Sequence, residues 1–176
     1  MSRLLLYIFL TVSSSVTLGD QELPIKDSNS LVHDRKLHTS EQVVDSEKIE
    51  AIRADSNTAI ARRDVLGIVS SLASEYQITV GTGVLYQGGP EEEAVAWAAT
   101  FAERKDVVYV RTPVTIEVSS YLPRAIEHGH WVGSWIASGG HKEVGGSYTA
   151  SWSMRKEEWK IRSEIYVTLY CNGPGC

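Results

Sequence analysis

The apolar positions of this chain change from a helical to a strand-like period about halfway along its length. Apolar residues recur at helical spacing over residues 47–62, which predicts an amphipathic helix capped by Ser46. The residues of this apolar face are Ile49, Ile52, Ala59 and Ile60. Asp64 has the position of a cap for a second, shorter helix carrying apolar residues up to Leu72.

A third helix is predicted to begin at residues 91–93, because three glutamates there suit the positive end of a helix dipole. Its predicted buried side consists of Ala94, Val95, Trp97, Ala98, Phe101 and Ala102. Between the second and third helices, residues 76–86 predict a short strand or a pair of strands, since two glycines interrupt their apolar run.

From residue 107 onward the pattern is strand-like to the end of the chain. Pro113 separates residues 107–111 from 114–119 and predicts a bend or an edge. Three further predicted strands are long and are joined by short turns; they cover residues 124–136, 144–155 and 159–171. Because the helices precede the strands, we predict an α+β fold in which a curved, cone-shaped antiparallel sheet packs on three helices.

The first residues have the layout of a secretory signal peptide. Arg3 precedes an apolar stretch over residues 4–12, and a small, polar stretch then leads to an expected cleavage before Asp20. The apolar stretch is too short to span a bilayer, which takes about 20 residues. We therefore expect residues 1–19 to be removed and the mature protein to be secreted, without a membrane segment. Residues 20–45 are polar and lack periodicity, which predicts a flexible linker ahead of a domain over residues 46–176.

The composition and the missing motifs exclude several classes of binding partner. The net charge is −5 and no run of Lys and Arg is present, so the electrostatic footprint of a nucleic-acid-binding protein is missing. Neither a nucleophile elbow, nor a phosphate-binding loop, nor a dinucleotide fingerprint occurs, and we predict no cofactor and no metal. Cys171 and Cys176 flank a turn-rich segment and are expected to form a disulfide in an oxidising compartment.

Four segments resemble the nuclear transport factor 2-like superfamily, and within it the SnoaL-like and ketosteroid-isomerase-like proteins. They are Tyr-Val-Arg-Thr-Pro at 109–113, Glu-His-Gly-His-Trp at 127–131, Gly-Ser-Tyr-Thr-Ala-Ser-Trp at 146–152 and Trp-Lys-Ile-Arg-Ser-Glu-Ile-Tyr-Val at 159–167. The resemblance covers residues 46–171. It implies a bent sheet around a pocket and a homodimer formed through the sheet.

The same resemblance leaves activity open, because the superfamily includes isomerases, cyclases, dehydratases and non-catalytic proteins. In ketosteroid isomerases an aspartate base and a tyrosine acid do the chemistry. Matched on Asp64, those positions fall near Val80 and Ser56, and neither side chain can perform that role.

Alternation along residues 124–136 places Glu127 on one face, with Trp131, and places His128 and His130 on the other. The two histidines could bind a metal or move protons, or they could lie on the solvent face or in a dimer contact. A carboxylate among aromatic rings has a raised pKa and could act as an acid or base. Alternatively, Glu127 pairs with Arg111 or Arg162. These three residues, Glu127, His128 and His130, are the candidate catalytic groups.

Aromatic residues predict a pocket for a flat apolar molecule, or an ordinary core. The candidate ligand-binding residues are Tyr76, Trp97, Tyr109, Arg111, Trp131, Trp135 and Trp152. Arg111 could bind an anionic substrate group with two hydrogen bonds, or it could pair with Glu127 or Glu164.

Two functional hypotheses follow. The first is a secreted domain that binds a small apolar or aromatic molecule, with or without a proton-transfer activity. The second is a non-catalytic secreted interaction protein, or a host-targeted effector, that uses the sheet for dimerisation or for a protein partner. The second draws on residues 35–38, Arg-Lys-Leu-His, which are similar to the Arg-x-Leu-Arg signal of oomycete effectors.

Overall fold

The structure, a computed structural model, describes residues 39–176. The predicted signal peptide at 1–19, most of the predicted linker and the motif at 35–38 lie outside the described residues. None of the helices between residues 39 and 176 combines the length and the apolar character that a membrane crossing requires.

The first helix, α1, spans Ser40–Arg62 and begins earlier than predicted. Its start is a capping box: the backbone N–H of Gln42 donates to Thr39 Oγ1 at 3.3 Å, and the backbone N–H of Thr39 donates to Gln42 Oε1 at 2.9 Å. Gln42 also donates through Nε2 to the carbonyl of Val118, at 2.7 Å, which ties this end to the sheet. Residues 40–45, which the sequence assigns to the linker, are therefore helical.

The next elements are short, apart from the third helix. Helix α2 covers Val65–Ser70 behind its cap Asp64, strand β1 covers Leu72–Thr79, strand β2 covers Leu85–Tyr86, and helix α3 covers Gly89–Glu103. Leu72 thus belongs to a strand and not to the second helix. The predicted buried side of α3 is wrong at Val95, Ala98 and Ala102, which are exposed, whereas Phe101 is buried.

Four long strands complete the fold: β3 at Val108–Val118, β4 at Arg124–Ala137, β5 at Gly140–Arg155 and β6 at Glu158–Asn172. The α+β prediction of a curved sheet on three helices is confirmed. One detail is wrong: the six-stranded sheet, in the order β2-β1-β6-β5-β4-β3, is mixed, because β1 and β6 are parallel. The sheet is also open, with β2 and β3 as its edges.

Local irregularities and glycines accompany the bend of the sheet. The register of β3 against β4 shifts between Pro113 and Thr115, so the predicted bend at the proline is a bulge. On the inner face of β4, a Cβ at Gly129 would collide with Tyr148, and one at Gly133 would collide with Tyr109. Glycine at these two positions lets the aromatic rings of neighbouring strands lie directly on β4.

The predicted disulfide between Cys171 and Cys176 is present, with a Cα–Cα distance of 5.6 Å. The loop that it closes lies against the β4–β5 turn, where a Cβ built on Gly139 would be 3.5 Å from Pro174. Lys142 Nζ donates to the carbonyl of Gly175 at 2.9 Å. The end of β6 is thereby fastened to the start of β5.

Candidate functional site

A cavity of about 630 Å³ lies between the helices and the concave face of the sheet. Every helix and strand of residues 39–176 contributes to its wall, from Ser56 on α1 to Cys171 on β6. This volume is within the range of small-molecule sites, and the wall combines aromatic rings with a few charged groups.

A continuous row of aromatic rings follows the cavity. Trp97 meets Tyr109 edge to face with ring centres 5.8 Å apart, and Tyr109 lies 6.2 Å from Trp131. Trp131 in turn meets the ring of Tyr166 at 5.8 Å. These four residues all line the cavity. Such edge and tilted contacts hold each ring in one orientation, so the wall is a preformed surface for a flat apolar molecule.

Beneath this wall, Arg53 of α1 is buried between two carboxylates. Its Nε and Nη2 donate to the two oxygens of Glu127 at 2.9 and 3.0 Å, and its Nη1 lies 2.9 Å from Glu164 Oε1. Burial lowers the pKa of Arg53, but Glu164, Tyr166 and Glu127 together raise it well above its ordinary value. The guanidinium therefore stays charged and offsets one of the two negative charges that it contacts.

Glu127 is fully buried and completely engaged. Besides Arg53, it accepts hydrogen bonds from the hydroxyl of Tyr148 and from Trp152 Nε1, the latter at 2.7 Å. It does not line the cavity. Glu127 lies on the same face of β4 as Trp131, among aromatic rings, and its partner is Arg53 and not Arg111 or Arg162. A carboxylate with every oxygen engaged is a structural anchor, so we do not retain it as an acid or base.

Glu164 reaches the cavity from the same network. Its carboxylate accepts hydrogen bonds from Tyr76 at 2.7 Å and Tyr166 at 3.0 Å. Burial raises the pKa of Glu164, yet the charges of Arg53 and Arg111 and these two hydrogen bonds outweigh burial and hold it below its ordinary value. Glu164 is therefore ionised at neutral pH, and it shares the positive charge of Arg53 with Glu127.

Arg111 is buried in the wall of the cavity, with far fewer partners than Arg53. Its Nη2 donates to Ser56 Oγ at 2.6 Å, and among residues 39–176 its buried Nε has no hydrogen-bond partner. The predicted pairing with Glu127 or Glu164 is not formed: both carboxylates pair with Arg53. Arg111 thus presents an incompletely satisfied guanidinium at the cavity.

Glu93 on α3 lines the cavity and was not a sequence candidate. Burial raises the pKa of this carboxyl to about 7, and the negative charge of Glu164 acts in the same direction, while Trp97 and Arg111 oppose the rise. Near neutral pH the group therefore exists in both protonation states, which is the property that an acid–base catalyst needs.

Trp135 lies where the cavity meets solvent, with two cations close to its ring. The guanidinium carbon of Arg104 is 4.5 Å from the ring centre, and Lys142 Nζ is 5.9 Å from it. All three residues line the cavity and are partly exposed. We call this group the cationic rim.

His128 and His130 are both exposed on the outer face of β4, away from the cavity, which argues against the catalytic role predicted for them. His128 Nδ1 lies 2.9 Å from Thr149 Oγ1, and neither histidine lines the cavity. Within residues 39–176 no group of three or more metal-binding side chains occurs. The structure therefore supports the solvent-face alternative for both histidines over a catalytic role.

Most of the predicted ligand-binding residues come together around the cavity: Tyr76, Trp97, Tyr109, Arg111, Trp131 and Trp135. Trp152 is the exception. It is fully buried under Arg53, whose guanidinium carbon lies 5.3 Å from its ring centre, and it does not line the cavity. Trp152 is a core residue because α1 covers its end of the sheet.

Sequence reasoning missed Arg53, Glu93 and the role of Tyr166. Arg53 follows Ile49 by four residues and precedes Ile60 by seven, so it interrupts the apolar face of α1. A charge on an apolar face is the signal of a buried partner. Glu93 precedes Trp97 by four residues and shares its side of α3, a signal that the acidic first turn obscured.

No protein-family model matches the chain, and no curated protein matches it. Several solved structures, in contrast, are similar to this chain in fold. A hexachlorocyclohexane dehydrochlorinase from Novosphingobium barchaimii is 16% identical with a TM-score of 0.66, covering 77% of this chain and 94% of that one. A protein named as a scytalone dehydratase from Novosphingobium aromaticivorans is 10% identical with a TM-score of 0.65, covering 74% and 87%.

A third similar structure is a protein of unknown function from Shewanella oneidensis, named as NTF-2 like. It is 13% identical with a TM-score of 0.57, and covers 70% of this chain and 98% of that chain. At these identities the likeness concerns the fold alone.

Proposed function

The chain has the nuclear transport factor 2-like fold, and from that premise we propose that its cavity binds a small molecule with a flat, apolar or aromatic body. The observation that carries the proposal is the row of rings along a cavity of about 630 Å³. Apolar contact with these rings supplies affinity, and the few charged groups between them supply orientation.

Filling the cavity tests this proposal. In thermal denaturation against a panel of aromatic compounds, we expect a ligand at about a hundred times its Kd to raise Tm by roughly 5–10 °C. Ala96 lines the cavity, so Ala96→Trp should abolish the rise by occupying the space. Ala98 is exposed on the same helix outside the cavity, so Ala98→Trp is the matched control. An equal rise in both variants would show that the ligands bind elsewhere.

We further propose that the cavity supports proton transfer, with Glu93 in place of the histidines as acid and base. A carboxyl that changes protonation near pH 7 can remove a proton from a bound carbon acid and return it to the same or another carbon. Such an isomerisation needs no cofactor, because the proton that Glu93 removes is the proton that it returns. The similar dehydrochlorinase and dehydratase show that this fold accommodates enzymes in other proteins.

Isotope exchange tests the catalytic part on its own. In deuterated buffer, a bound compound with an acidic C–H should exchange that hydrogen, and Glu93→Gln should slow the exchange by about a hundredfold or more. Glu91 begins the same helix but is exposed, so Glu91→Gln should exchange at the wild-type rate. Undiminished exchange in Glu93→Gln would remove Glu93 from the mechanism while leaving ligand binding intact.

An interaction scaffold is the second candidate function, favoured by apolar residues exposed on the outer face of the sheet. These are Val110, Val132, Ile165 and Val167, each at least 37% exposed. We propose that this face forms a homodimer. Sedimentation should give twice the chain mass for the wild type and the monomer mass for Val132→Glu, and a monomeric wild type at all concentrations would exclude it.

Export remains part of the proposal. It is supported by the pattern of residues 1–19 and by the disulfide, because disulfides persist in oxidising compartments. The mass of the protein recovered from culture medium should correspond to a chain beginning at Asp20, and retention of residues 1–19 on an intracellular product would contradict this.

A further inference from the structure

The wall of the cavity has a positive balance in a chain whose net charge is −5. The charged residues that line it are Glu93, Arg104, Arg111, Lys142 and Glu164. Behind the wall, the single positive charge of Arg53 is shared between Glu164 and the buried Glu127. The lining thus carries three cations, Arg104, Arg111 and Lys142, against the two carboxylates of Glu93 and Glu164, and Arg104 also contacts Glu103 at 3.5 Å outside the cavity. The lining residues are therefore net positive, so the surface that a ligand meets favours negative charge.

Arg111 is the cation best placed to bind that charge. It is 7% exposed and lines the cavity, and its only side-chain hydrogen bond within residues 39–176 goes to Ser56. Its buried Nε has no partner there. A buried guanidinium with free donors is costly unless an acceptor satisfies them, and its planar fork matches the two oxygens of a carboxylate.

We propose that the ligand of this cavity is an aromatic or apolar molecule carrying one carboxylate group, and that Arg111 binds the carboxylate while the row of rings binds the apolar body. The inference rests on the proposed small-molecule function of the cavity and names the class of ligand. The cationic rim at Arg104, Lys142 and Trp135 attracts the anion to the entrance, which raises its rate of association at low salt.

Glu93 gives this binding a pH dependence. The other charged groups around the cavity are Arg104, Arg111, Lys142 and Glu164, and the phenols are Tyr76, Tyr86, Tyr109 and Tyr166. The side chains that α1, α2 and β4 contribute are not titratable. Because burial raises the pKa of Glu93 to about 7, this group gains a negative charge as the pH rises through neutrality. Carboxylate affinity should therefore fall above pH 7, whereas the affinity of an uncharged ligand should not.

The experiment compares benzoate, naphthoate, anthracene carboxylate and pyrene carboxylate with their primary amides, by calorimetry on the wild-type protein. We expect at least one carboxylate to bind about tenfold tighter than its amide at pH 6, because a hydrogen-bonded charge pair replaces a neutral contact. The affinity ratio of each carboxylate to its amide should fall close to one in Arg111→Met, and Arg111→Lys should keep part of the carboxylate preference. Glu93→Gln should remove the loss of carboxylate affinity above pH 7.

Arg155 on the surface is the control for loss of one positive charge, and Arg155→Met should leave the ratio unchanged. The wild-type ratio is itself a test if Arg111→Met fails to fold. Amides that bind as tightly as carboxylates would overturn the inference and leave the proposed binding function standing. If neither class binds, both fail.

Discussion

Replacing Arg53 by methionine is expected to lower the free energy of unfolding by about 3–5 kcal/mol at pH 7, the largest loss from a single charge in this protein. The change leaves Glu127 and Glu164 buried without the cation that both of them contact. Methionine keeps most of the apolar volume, so the loss reports the missing charge and hydrogen bonds. Denaturant unfolding of the purified variant measures it.

The same variant should recover stability as the pH falls. Without Arg53, Glu164 loses the charge that most strongly lowers its pKa, so burial raises its folded-state pKa above the unfolded value. Stability is then present at low pH and is lost as the pH rises. Arg155→Met, which breaks a surface pair with Glu75, should cost about 0–1 kcal/mol at any pH. A loss below 1 kcal/mol for Arg53→Met would mean that the network is not a source of stability.

Trp152→Ala is expected to cost about 3–5 kcal/mol, because the indole is fully buried and its removal leaves a cavity in the core. The variant also removes the Nε1 hydrogen bond to Glu127. Since Trp152 does not line the ligand cavity, the affinity of the folded variant for any aromatic ligand should remain within about twofold of wild type, at the resolution of calorimetry.

Trp135→Ala is the matched variant, and we expect it to weaken ligand binding while leaving stability nearly unchanged. Trp135 is partly exposed at the cationic rim, so its removal should change stability by less than about 1 kcal/mol. Ligand affinity should fall by roughly two- to tenfold through lost ring contacts. If Trp152→Ala weakens ligand binding more than Trp135→Ala does, Trp152 contributes to the ligand site and is not a core residue alone.

The contrast between these two tryptophans shows what the sequence could establish. Alternation sorts the side chains of β4 onto two faces, because a period of two has a single meaning in a sheet. It cannot distinguish a ring that lines a cavity from one that fills the core. That difference depends on the helices: Arg53 of α1 covers Trp152, whereas Trp135 packs beside the cluster of Ile60, Ile68 and Phe101 and stays partly exposed.

The buried charges were harder to assign, since their partners are distant in sequence. Arg53 and Glu127 are 74 positions apart, and no local spacing links them. The histidine pair misled for a related reason: spacing shows that two side chains share a face but not which face meets solvent. The parallel pairing of β1 with β6 was missed for the same reason, because it joins elements at opposite ends of the fold.

The bond between Cys171 and Cys176 has a practical consequence for work on this protein. Cys171 and Lys142 both belong to the wall of the cavity, and the carbonyl that Lys142 contacts lies within the ring closed by that bond. Protein prepared in a reducing bacterial cytosol would keep its core and yet carry a loosened cavity entrance. Two preparations that differ in this bond can therefore differ in ligand uptake as well as in stability, and a thiol titration should accompany every binding measurement.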